Sequence, residues 1–223
     1  MTRRHRHNHE SEILYAVAAD IPDGTSNLPR GEWKSRYRAY TRAALAVSAG
    51  LAGAPPGPFD KKEDGAPLPF SGWRWSVSDT IGRALSVVAR IPVGVDVEQL
   101  RSPRPELARK VADGREWELL GGCDDMLFAR MFSAKEAALK STGKGIGGLS
   151  RCRLTLPSPA PGRLILEYEG NRYFVDQMVE NGYVHSLACP VPDARVRWIR
   201  CCLWPDPGSE KTGDRSRCAP LFP

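Results

Sequence analysis

Two stretches restrict this chain more than any others: Pro92-Val-Gly-Val-Asp-Val-Glu98 and Phe132-Ser-Ala-Lys-Glu-Ala-Ala-Leu-Lys140. The first is a Val-rich run bounded by Pro and Gly, which predicts a strand. Alternate residues of a strand share a face, so Asp96 and Glu98 leave it on the same side. The second is strongly helical, and Glu136 and Lys140 at i and i+4 fall on one helix face. A strand giving two acids and a helix giving an acid and an amine can together hold a hard divalent cation and a polyphosphate. Magnesium suits such a set, because it takes a few carboxylates plus phosphate oxygens and keeps some of its waters.

Along the chain, Ile13 to Ala19 reads as a strand and Glu32 to Leu51 as a helix. That helix turns Tyr37, Tyr40, Ala44, Leu45 and Val47 towards a core, with Lys34, Arg36, Arg38 and Arg42 largely elsewhere. A Pro/Gly/Lys-rich loop follows from Ala54 to Pro69. Trp73 to Val77 and Ala84 to Arg90 form an antiparallel pair, with Val93 to Val97 a third strand. Helix is expected from Pro103 onward and most clearly over Asp124 to Ser141, where Leu127, Met131, Ala134 and Ala138 recur at helical spacing. Strands follow at 153–156, 164–168, 173–179, 183–189 and 195–201. The fold class is therefore α+β, divided into residues 13–100 and 101–202. The His/Arg-rich start, 1–12, and the Pro/Gly/Ser-rich end, 203–223, read as disordered tails.

At 223 residues, with 41% hydrophobic and 26% charged residues, the composition is that of a soluble globular protein with a sizeable core. No stretch nears the roughly 20 apolar residues of a membrane span, and no charged-then-apolar leader opens the chain, so a cytoplasmic protein without a membrane role is expected. The net charge of +6 favours an acidic partner. The basic residues form no long run and no nucleic-acid-binding motif, which argues against nucleic acid. The six cysteines, at 123, 152, 189, 201, 202 and 218, have no zinc spacing and are expected to be reduced thiols.

Each motif also has a plainer reading. Asp96 and Glu98 fit the polar face of a strand, and Glu136 and Lys140 fit a surface ion pair worth about 0.2–0.5 kcal/mol. Ser133 and Glu136 fit a capping box, which would start a helix there. The glycines from Gly143 to Gly148 follow a helix and precede a strand, the wrong setting for a phosphate-binding loop, and read as a helix stop. His185, in an apolar run, reads as a core histidine, and the tryptophans, Trp73 and Trp75 included, read as packing residues.

Taken in order, (V/I)G(V/I)DxE and (F/W)SxKExxxK, with Gly143-Lys-Gly145 after them and Pro69-Phe-x(4)-Trp-Ser-Val-Ser78 before, resemble the signature of the 4′-phosphopantetheinyl transferases of the Sfp-like, two-lobed type. The resemblance covers roughly residues 13 to 200. It implies two pseudo-symmetric lobes in a monomer, with the site in the cleft between them. It implies transfer of the phosphopantetheine arm of coenzyme A to a serine of an acyl or peptidyl carrier protein, with magnesium bound by Asp96, Glu98 and Glu136. Lys140 would neutralise phosphate charge, and Glu98 or Glu116 would take the serine proton; Glu116, in Arg115-Glu-Trp117, looks like the family's additional acidic position. Arg42, Ser78, Asp79, Lys135, Lys140 and Lys144 would face the coenzyme.

Two positions depart from the family. Its usual (F/W)-(N/S)-(L/V/I)-S-H-(S/T) reads Trp75-Ser-Val-Ser-Asp-Thr80, with Asp79 in place of a histidine that contacts coenzyme phosphates. Its usual Gly-Lys-Pro reads Gly65-Ala66-Pro67, so a lysine is missing too. An ionised aspartate cannot donate to phosphate and repels it unless a cation intervenes. Three consequences stay open: Asp79 joins the metal shell, a nearby Lys61, Lys62, Arg74 or Arg42 supplies the missing charge, or the chain has moved to weaker activity, another reaction or a binding role.

Overall fold

A computed structural model describes residues 12–22, 24–143, 147–157, 162–201 and 218–220. The expected N-terminal tail, apart from residue 12, and most of the expected C-terminal one lie outside the described residues, as does Lys144. The chain runs β1 (Ile13–Asp20), α1 (Arg30–Ala52), β2 (Arg74–Thr80), β3 (Arg83–Ala89), β4 (Gly94–Gln99), α2 (Pro105–Val111), α3 (Gly114–Leu120) and α4 (Asp125–Thr142). It continues through β5 (Arg153–Pro157), β6 (Arg163–Tyr168), β7 (Asn171–Glu180), β8 (Tyr183–Cys189), β9 (Arg195–Cys201) and β10 (Cys218–Pro220). The α+β class is as the alternation of periods predicts.

The strands make two five-stranded sheets, ordered β10-β9-β1-β3-β2 and β4-β8-β7-β6-β5. β1 and β9 pair in parallel, from Ile13 opposite Arg195 to Ala19 opposite Cys201, and every other pairing is antiparallel. The sheets do not divide at residue 100. β4, which follows β3 in sequence, pairs with β8 in the second sheet, while β9 returns to the first. The physical reason is burial on both faces of these strands: β3 is buried along all seven residues and β8 along nearly all.

Three layers of apolar contact follow. Val17 and Ala19 of β1 meet Tyr37, Tyr40 and Ala44 of α1. The other face of the first sheet, with Leu14, Ala16, Leu85 and Val87, packs on Val95, Val97 and Leu187 of the second. The far face of the second sheet, with Leu166, Val175 and Ala188, carries Phe128, Met131, Ala134 and Ala138 of α4. His185 is fully buried among Tyr183, Trp198 and Arg83, and burial followed by the Arg83 charge pushes its pKa down to about 3. It is the core histidine expected. Cys123, Cys152 and Cys189 are unbridged, as expected; burial pushes the Cys152 thiol up to about 12.

The helix boundaries have local causes. Asp124 caps α4 by accepting from the Leu127 N–H at 2.7 Å, and Gly143 closes it at φ 69°, a left-handed value that suits glycine. Ser133 lies inside α4, so the capping-box reading of Ser133 and Glu136 is replaced by a buried hydroxyl 2.8 Å from Ser186 Oγ. One further correction concerns the chain end: Cys218–Pro220, within the stretch expected to be disordered, pairs antiparallel with β9. Among the described residues no helix is long and apolar enough to cross a membrane.

Candidate active site

Gly94 decides how closely α4 approaches β4. A Cβ there would overlap the Ala137 carbonyl oxygen and the Ser141 backbone nitrogen, so only a glycine lets strand and helix backbones touch. That contact sets Asp96 and Glu98 beside Glu136 and Lys140. On the other side, the edge of β2 abuts β4: Ser76 Oγ accepts from the Val95 N–H at 3.1 Å, and Ser78 Oγ donates to Asp96 Oδ1 at 2.8 Å. The site therefore lies where the edges of both sheets meet α4.

Within it, Lys140 Nζ lies 2.6 Å from Asp96 Oδ1 and 3.1 Å from Ser78 Oγ. Asp96 is 4% exposed, and its Oδ2 is buried with no hydrogen-bond partner. Glu136 is buried as well, while the Glu98 side chain is 18% exposed with Arg101 3.8 Å away. Burial, followed by the Asp96 charge, pushes both Glu98 and Glu136 up to about 7; Lys140 and, for Glu98, Arg101 oppose this. This is a crowded acidic cluster, short of positive charge.

Beside it opens a cleft of about 260 Å³ lined by Arg38, Arg42, Phe59, Asp60, Lys61 and Trp75, among others. Asp79 stands at the exposed end of β2, its carboxyl raised above the usual range by the packing around it, with Lys140 and Lys61 pulling the other way. Trp75 also lines a smaller hollow next to Lys140. Trp73 and Trp75 are themselves buried, so packing and lining coincide in Trp75.

The structure thus gathers Asp96, Glu98, Glu136, Lys140 and Ser78, and sets Asp79 and Arg42 nearby. It does not bring Glu116 and Lys135 to this cluster. Lys135 is fully buried, 2.7 Å from Glu116 Oε1 and 2.7 Å from the Val111 carbonyl oxygen. Glu116 also accepts from the Leu154 N–H at 2.8 Å, completes the α3 capping box with Asp113, and has Arg153 at 3.3 Å. The cause is helical geometry: neighbours in a helix point about 100° apart, so Lys135 turns away as Glu136 turns in. Arg38 and the Ser133–Ser186–Gln177 hydrogen bonds behind α4 were not foreseen, since strand register alone brings Ser186 opposite Asp96.

A metal fits the donor chemistry. Hard carboxylate oxygens, one of them orphaned, and two carboxyls raised by burial and then by the Asp96 charge are what a divalent cation would satisfy. Among the described residues no three His, Cys, Asp or Glu side chains stand close enough to cage an ion as they are, and the Lys140 ammonium lies on Asp96.

Residues 92–188 match the family model of the 4′-phosphopantetheinyl transferase superfamily. The chain is also 31% identical over 147 residues to the 4′-phosphopantetheinyl transferase HetI of Nostoc sp. (strain PCC 7120), an alignment that covers 60% of this chain and 62% of that protein. The match thus spans about three fifths of the relative's length.

Proposed function

We propose that this chain, whose residues 92–188 match the family model of the 4′-phosphopantetheinyl transferase superfamily, moves the phosphopantetheine arm of coenzyme A to a serine of an acyl or peptidyl carrier protein, as a cytoplasmic monomer of the two-lobed kind. The observation that carries this reading is the cluster of Asp96, Glu98 and Glu136 around Lys140, beside a cationic cleft.

In the reaction the carrier serine oxygen bonds to the phosphorus bearing the pantetheine arm. The bond from that phosphorus to the bridging oxygen breaks, and 3′,5′-ADP leaves with the electron pair. A bound Mg²⁺ would supply charge neutralisation at the diphosphate. Asp96, Glu98 and Glu136 would hold it. Lys140, fixed by Ser78 and Asp96, presents its ammonium to the leaving phosphate. Glu98 is the more open of the two raised carboxyls, which is the position from which a carboxylate would take the serine proton. Glu116 is already held by Lys135, Arg153 and a backbone N–H, so it serves α4 placement and not proton transfer. The net charge of +6 fits an acidic carrier.

The test is chromatographic release of 3′,5′-ADP from coenzyme A. Release should require both Mg²⁺ and an apo carrier protein, and Glu136→Gln should lower it by about a hundredfold or more, the scale on which one preorganised charge contributes. Release without a carrier, or undiminished in Glu136→Gln, would refute the reading.

A further inference from the structure

The second sheet carries a polar row on the face that α4 covers. Gln177 of β7 lies opposite Ser186 of β8, and Ser186 lies opposite Asp96 of β4, so three neighbouring strands each present a polar residue at the same level. Directly opposed residues of a sheet share a face, and their side-chain contacts put this one under α4. Gln177 Nε2 donates to the Arg130 carbonyl at 2.8 Å and to Ser186 Oγ at 2.9 Å, while Gln177 Oε1 accepts from Arg130 Nε at 3.0 Å. Ser186 Oγ meets Ser133 Oγ at 2.8 Å, and Asp96 Oδ1 accepts from Lys140 Nζ at 2.6 Å. Arg130, Ser133 and Lys140 run along one stripe of the helix, and they sit over Gln177, Ser186 and Asp96 in turn.

Counting donors fixes the direction of the row. Gln177 engages both Arg130 and Ser186 through its amide nitrogen, so Ser186 accepts. Ser133 donates its single proton to the Arg130 carbonyl at 3.4 Å, and the proton between the two hydroxyls therefore comes from Ser186. The apolar part of the contact gives α4 little to lock into. Its buried residues here include Ala134, Ala137 and Ala138, and β4 approaches it at Gly94. Such short side chains raise low ridges, which hold the rotation and slide of a helix weakly. Directed hydrogen bonds between buried groups hold them instead.

We infer that Gln177 and Ser186 are positioning residues of the cation site: by holding Ser133 they set how far Glu136, three residues on in α4, stands from Asp96 and Glu98. This rests on the transferase reading and extends it to residues outside both motif stretches and outside the acidic cluster itself. Because Ser186 is the register partner of Asp96, the same strand pairing locates the carboxylate and the hydroxyl that steers the helix above it. A site whose ligands come from a strand and a helix needs such a support, since its geometry is only as exact as the seating of one element on the other.

The experiment titrates the full chain with Mn²⁺ in the presence of coenzyme A, reading the free ion by electron paramagnetic resonance and subtracting what coenzyme A binds alone. Gln177→Met keeps the length of the side chain and removes its amide hydrogen bonds. It should weaken Mn²⁺ binding by about tenfold, the lower end of what supporting residues contribute to a metal site, and Ser186→Ala should weaken it comparably. Val17→Ala, which opens a cavity between β1 and α1 on the other sheet, is the stability control. Its denaturation midpoint should fall at least as far, with Mn²⁺ affinity unchanged. Undiminished Mn²⁺ binding by Gln177→Met or by Ser186→Ala, or an equal weakening in Val17→Ala, would overturn the inference while leaving the transferase reading standing. No Mn²⁺ binding by the wild type with coenzyme A would overturn both.

Discussion

Gly94 has the smallest side chain at the site and the largest effect on its geometry. Gly94→Ala puts a methyl group into the α4 backbone, and neither element can shift without loosening buried contacts. The substitution should destabilise the fold by about 1–3 kcal/mol, the range for overpacking a tight interior, and lower activity beyond that by moving Glu136 and Lys140 away from Asp96. Denaturant unfolding and turnover measured on the same preparation check this, and an unchanged midpoint would contradict it. A second expectation at this scale concerns Glu98 and Glu136. Each binds its proton more tightly in the fold, at about 7, than in the unfolded chain, at 4.5. Between those values the folded state holds more protons, so stability conferred by the neutral carboxyls falls as pH rises through that window. In a chelator the melting temperature should fall as pH rises from about 5 to about 8, and Mg²⁺ should restore it chiefly at the upper end; a Mg²⁺ effect independent of pH would contradict the expectation. The shared face of Asp96 and Glu98 was legible from strand alternation, and the pairing of Glu136 with Lys140 from helical spacing. The fate of Lys135 was not, because motif spelling does not say which way a residue one position along turns.

Among the elements, α4 does most to assemble the site. Its start and stop could be read from Asp124 and Gly143, yet what holds its far side could not. The Lys135–Glu116 pair ties α4 to α3 and β5, wholly out of water. Removing Glu116 leaves the Lys135 ammonium buried with carbonyl partners but no counter-ion, so Glu116→Leu should cost about 3–5 kcal/mol, Lys135→Met should cost less because Arg153 still neutralises Glu116, and the double variant should regain much of the larger loss. A double-mutant cycle by urea unfolding measures the coupling. Additive losses would show that the two groups do not depend on each other. The loop of residues 61–67 makes the same point about reading elements from sequence. Its Pro/Gly/Lys content marks a turn, but which lysine faces Trp75 depends on the bridge between Lys61 and Pro67.

For the whole molecule, strand exchange matters most. β4 belongs by sequence to the first half and by pairing to the second, and β9 the reverse. Local patterns show that both are strands; long-range register decides their neighbours, and β10 was hidden because three residues carry too little periodicity to read. With each sheet completed by a strand from the other half, unfolding should be one cooperative transition, with tryptophan fluorescence and far-ultraviolet circular dichroism coincident. Separate transitions would mean the halves are independent after all. The exchanged strand β4 carries Asp96 and Glu98 of the acidic cluster behind the functional reading, and the most direct check is intact-mass spectrometry of a panel of apo acyl and peptidyl carrier proteins incubated with this protein, coenzyme A and Mg²⁺. A carrier should gain one phosphopantetheine on its serine, with the gain lost in chelator and in Glu136→Gln; carriers that stay at their apo mass, or that gain the group equally well without the cation, would contradict the account.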